Sequence, residues 1–148
     1  MPILDQDISS IAHAIQLAVA PVFLLTGVGA LLNVMTNRLG RVIDRARFVE
    51  QQWHEFEEAA QANARKELRI LARRARLAYL AINLCTCAAL LICAVVATLF
   101  VDVFIATNLK WLAGTFFFAA TIALIGGLVT FLREVYLATH TLRIGPPQ

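Results

Sequence analysis

RLGRVIDRARFVEQQWHEFEEAAQANARKELRILARRAR, residues Arg38–Arg76, is the stretch whose reading decides the fold. It contains no proline and a single glycine, Gly40, so little in it interrupts a helix. Apolar residues recur at Leu39, Val42, Ala46, Val49, Trp53 and Phe56, and again at Ala64, Leu68, Leu71, Ala75, Ala78 and Ile82, in alternating steps of three and four. Such steps lay one apolar seam along a helix. Two seams in succession, on a chain that has to come back to its starting level, predict an antiparallel helical hairpin over residues 38–76. Pairing Val49 with Leu68 and Val42 with Ala75 leaves Arg41 at the hairpin base. The alternative, pairing Val49 with Ala75, would set Arg41 level with Asn83 inside the next apolar stretch, where an arginine costs about 2.5 to 3.5 kcal/mol. The first register is preferred, and it turns near Glu58 and Ala59.

Outward from the hairpin the chain loses its charges. No Asp, Glu, Lys or Arg occurs from Ile8 to Asn37, from Leu77 to Val101 or from Trp111 to Leu132. Each gap exceeds the roughly 20 apolar residues that a helix needs to cross a hydrocarbon core. The 148 residues are 59% hydrophobic and 16% charged, whereas soluble domains are about 45 to 50% apolar and about a quarter charged. A soluble globule and a disordered chain are both excluded by that balance. The expected fold is all-α: an integral membrane protein with spans at about 11–36, 77–100 and 111–132, a hairpin at 38–76 and a short tail at 133–148.

Lys and Arg are retained on the cytoplasmic side, and 10 of the 13 lie between Arg38 and Arg76. The hairpin is therefore expected in the cytoplasm, the N-terminus outside and the C-terminus inside. A cleaved signal peptide is not expected, because Asp5 and Asp7 open the chain and no basic residue precedes Arg38. Tyr79, Trp111 and Tyr136 fall near span ends, where interfacial aromatics belong.

Arg38, Arg41, Arg45, Arg74 and Arg76 cluster at the hairpin base and form a candidate contact for anionic lipid headgroups. Phe48 and Ile70, large and off the seam, are candidate oligomer contacts. Span one carries Pro21, which should kink it, and Gly27 and Gly29, which should allow close helix approach. Its His13, Gln16, Asn33 and Asn37, with Asn83 of span two, are candidate intramembrane polar contacts, as interhelical glue or as the lining of a pathway. Cys85, Cys87 and Cys93 read as packing residues, and the three histidines are scattered. No metal site, cofactor site or catalytic constellation is expected.

The run IQLAVAPVFLLTGVGALLNVMTNRLGRVIDRAR, Ile15–Arg47, with its Ala20-Pro21-Val22-Phe23-Leu24-Leu25 core and Asp44-Arg45-Ala46-Arg47 end, resembles small bacterial inner-membrane proteins grouped as domain of unknown function family 2721. The resemblance covers most of the chain. It implies a multi-pass protein of the bacterial inner membrane and supplies no activity, substrate or catalytic residue. Residues and resemblance together lead us to expect a non-enzymatic, homo-oligomeric scaffold or regulatory subunit whose hairpin contacts lipid or an unidentified protein partner. The alternative is a small oligomeric channel or transport subunit lined by span one. No nucleic-acid partner is expected.

A reporter inserted near Ala60 or fused after Gln148 should read cytoplasmic, and one at Asn108 should read the opposite side. An Ala60 insertion that reads outside reverses the topology.

Overall fold

The computed structural model describes the backbone of residues 2–53, 58–105 and 109–140, and side chains within 12–53, 60–102 and 109–139. It contains three helices, α1 (Pro2–Gln51), α2 (Glu58–Ile105) and α3 (Lys110–His140), and no strand among the described residues. All three are long and apolar enough to cross a membrane. At 50 and 48 residues, α1 and α2 far exceed a single crossing. The chain divides into two compact units: residues 1–32 with 84–125, and residues 33–83 with 126–148.

In the first unit the buried residues are mostly small. Ala14, Ala18 and Val28 of α1, Cys85, Ala88, Ile92 and Val95 of α2, and Ala113 and Ala120 of α3 form its core. Small side chains let backbones approach, which is how helices gain dispersion energy where lipid removes the hydrophobic drive. The large apolar residues face outward, with Phe23, Leu90, Trp111 and Phe118 among the most exposed. That inverts the soluble pattern, as a lipid solvent requires. Threonine hydroxyls in this unit satisfy themselves: Thr26, Thr98, Thr115 and Thr121 each donate to the carbonyl four residues earlier. Asp102 lies within α2, and its Oδ1 accepts a 2.8 Å hydrogen bond from the backbone N–H of Leu109. That bond ties down the start of α3.

α1 is helical on both sides of Pro21, which is buried. One expectation for span one is overturned within this chain. Gly27 and Gly29 are exposed, and a Cβ added to either would meet nothing within 4 Å. They do not mediate close packing within this chain.

The second unit contains the hairpin. Buried positions step by seven at Met35, Val42 and Val49 on α1 and at Ala64, Leu71 and Ala78 on α2, and Ala81 is buried as well. Arg45 Nε donates to Glu67 Oε1 across the pair at 2.8 Å, and the Arg65 guanidinium lies 5.4 Å from the Trp53 ring centre. α1 ends at Gln51 and α2 begins at Glu58. The turn therefore precedes the expected Glu58 and Ala59, which already belong to α2, while residues 54–57 lie outside the described set. With the turn moved back, the buried sets mirror as Val49 with Ala64, Val42 with Leu71 and Met35 with Ala78. This differs by about one helical turn from the expected partnership of Val49 with Leu68. Matching apolar seams alone leaves such offsets open, because every helical turn brings another apolar residue to the seam. Trp53, expected on the seam, is half-buried under Arg65, and Phe56, expected to end the seam, lies outside the described residues.

Cysteines at Val49 and Ala64, in a chain whose three native cysteines are replaced by alanine, should crosslink within one molecule more readily than a Val49 and Leu68 pair. The reverse preference would restore the expected register.

Candidate functional site

The buried face of α3 repeats every seven residues at Ala113, Ala120, Gly127 and Glu134. The fourth of these is a carboxylate. Glu134 is 1% exposed, in the second unit, and is among the largest fully buried side chains of the described residues. A buried carboxylate persists only with partners, and two arginines provide them. Arg74 of α2 donates from Nε and Nη2 to the same oxygen, Oε1, at 3.2 and 3.0 Å. Arg38 of α1 brings Nη2 within 3.1 Å of Oε2. Oε2 nevertheless accepts no hydrogen bond. The Arg38 contact is close and coulombic but is not aimed along an N–H, so the two arginines are not equivalent.

Side-chain exposures of 27% for Arg38 and 20% for Arg74 show that both are drawn well in from solvent. Arg38 also packs its guanidinium 5.6 Å from the centre of the Phe131 ring, one turn before Glu134. One residue from each helix thus meets at a single carboxylate. The arrangement holds three helices together and carries a net positive charge. It contains no nucleophile with a base.

A cavity of about 330 Å³ in the same unit is lined by Arg38, Arg41, Val42, Arg45, Leu71 and Arg74. Four of the five arginines read from the sequence as a lipid contact therefore share one surface. Three of them are already paired: Arg38 and Arg74 with Glu134, and Arg45 with Glu67. Arg41 and Arg76 are exposed, and Arg76 does not line this cavity.

The candidate polar contacts are dispersed. His13 and Gln16 are exposed in the first unit. In the second, Asn37 Nδ2 donates to Asn33 Oδ1 at 3.4 Å along one helix, and Asn83 is exposed. Phe48 and Ile70 are 48% and 36% exposed, and Arg45 lies 5.5 Å from the Phe48 ring centre.

Glu134 was missed by the sequence reading. Next to Arg133, just past the last apolar span, it passes for a solvated end-of-helix acid. Its signal is the seven-residue progression of small residues that leads to it, together with its being the sole acid after Asp102.

No curated protein and no solved structure matches the chain. A family model described as a protein of unknown function, DUF2721, matches residues 18–144, which takes in α2, α3, α1 from Ala18 onward and every residue of the Arg38, Arg74 and Glu134 cluster. The chain belongs to that family.

Proposed function

We propose that this protein is a non-enzymatic membrane scaffold or regulatory subunit that assembles as a homo-oligomer in the bacterial inner membrane. Its N-terminus lies outside, its C-terminus lies inside, and its hairpin meets lipid or a protein partner in the cytoplasm. One observation carries this reading. Beyond the uncharged stretches, the hairpin presents Ile43, Phe48 and Ile70 at 39%, 48% and 36% exposure. Large apolar side chains outside the bilayer call for a protein surface to cover them. Arg41 and Arg76, exposed and without acidic partners among the described residues, supply the lipid contact at the base.

The charge cluster fits the same reading. It anchors the hairpin base to α3 and leaves the apolar stripe free. A channel lined by span one is the second reading, favoured by the exposure of His13, Gln16, Asn33 and Asn37. Proton or cation flux through reconstituted liposomes decides for it.

The detergent-purified chain should have the mass of an oligomer, and Phe48→Ser with Ile70→Ser should lower that mass without loss of helical content. An unchanged mass moves the stripe to a different partner, and a monomeric wild type removes homo-oligomerisation.

Glu134→Ala should destabilise the protein by about 3 to 5 kcal/mol, since it leaves two drawn-in guanidiniums uncompensated. Replacing all three members together, by Arg38→Met, Arg74→Met and Glu134→Leu, should recover most of that loss. Thermal unfolding in detergent reads both.

A further inference from the structure

Arg73 and Arg74 are consecutive on α2, and Arg133 and Glu134 are consecutive on α3. Neighbouring residues of a helix point about 100° apart. When Arg74 and Glu134 turn inward to meet, Arg73 and Arg133 are carried round to the next face. There they line a single groove with Leu77, Leu132, Tyr136 and Leu137, enclosing about 550 Å³ along a mostly apolar wall. Both arginines are exposed, neither forms an ion pair among the described residues, and no acidic side chain lines the groove.

Height adds a second constraint. Leu77 is the first residue of the second uncharged stretch and Leu132 is the last of the third. The groove therefore straddles the level where apolar helix gives way to charged helix. Tyr136, 62% exposed beside it, is the kind of aromatic that settles at a headgroup layer.

We propose that this groove binds one anionic phospholipid, with its phosphate between Arg73 and Arg133 and an acyl chain against Leu77 and Leu132. Free phosphate would have no use for the leucine wall. A symmetric second copy would set the two arginines against their own images. The proposal rests on the helices crossing a membrane. It does not depend on the scaffold reading, on the hairpin-base arginines or on which way the chain faces.

The test is native mass spectrometry of the full chain in detergent, titrated with phosphatidylglycerol or phosphatidylcholine. Two basic residues at a membrane surface give a preference of roughly thirtyfold for the anionic lipid, weakening as salt rises. Arg73→Gln with Arg133→Gln should cut the preference about thirtyfold, to what Arg41 and Arg76 sustain, and Arg133→Gln alone should cut it about fivefold. Lys66→Gln with Arg69→Gln, which removes two charges elsewhere on α2, should leave it unchanged. Leu77→Ser with Leu132→Ser should weaken retention of both lipids, whereas a site for the headgroup alone would not respond. The proposal is overturned if the preference is undiminished by Arg73→Gln with Arg133→Gln, or falls equally in the Lys66 and Arg69 variant. Displacement of the lipid by equimolar inorganic phosphate also overturns it. So does a loss of preference confined to Arg41→Gln with Arg76→Gln, which would return the lipid to the hairpin base, or a dimer that dissociates only when Arg73 and Arg133 are changed.

Discussion

A carboxylate sealed from water between two guanidiniums is the constraint around which the charged half of this molecule is arranged. Taking Glu134 out of water costs several kcal/mol, and only close positive charge returns it. Arg74 does so through two N–H groups directed at one oxygen, and Arg38 does so by proximity alone. Buried ion clusters add little net stability compared with an apolar core, but they penalise wrong arrangements heavily. Sliding α3 by one turn would put Thr130 or Ala138 between the guanidiniums and take the acid away. Small seam residues such as Ala113, Ala120 and Gly127 tolerate many offsets, so the acid supplies the register that alanine and glycine leave open.

The same contact sorts the arginines by role. Counted as a set, the basic residues between Arg38 and Arg76 read as one patch facing the membrane surface. In the fold, Arg38, Arg45 and Arg74 are engaged with acids, while Arg41, Arg73 and Arg76 remain available. Sequence neighbours therefore part company. Arg73 and Arg74 differ by one residue and by the full difference between a ligand-facing surface and a structural tie.

The three helices were legible because an uncharged run longer than 20 residues has few other uses, and charge gaps mark its limits sharply. The hairpin was legible because residues 38–76 lack proline and carry two seams. Its offset was not, since the apolar residues repeat at every turn while the position of the tip depends on a few polar residues with no strong turn chemistry. Gly27 and Gly29 suggested close packing because glycine permits it, but permission is no contact, and a Cβ at either would meet nothing within 4 Å. Asn33 and Asn37, read as interhelical glue or as the lining of a pathway, are four residues apart and bond to each other along one helix. Glu134 stayed hidden because its meaning lies in a residue 60 positions earlier, and orientation arguments weigh basic residues and pass over acids.

Arg38 and Arg74 belong to the first two helices, and Glu134 sits near the end of the third. During synthesis both arginines are made long before the carboxylate. Until α3 follows, neither guanidinium has that counter-charge, and drawing either one in from solvent is disfavoured. A chain that stops short of Glu134 lacks the one carboxylate that both guanidiniums share.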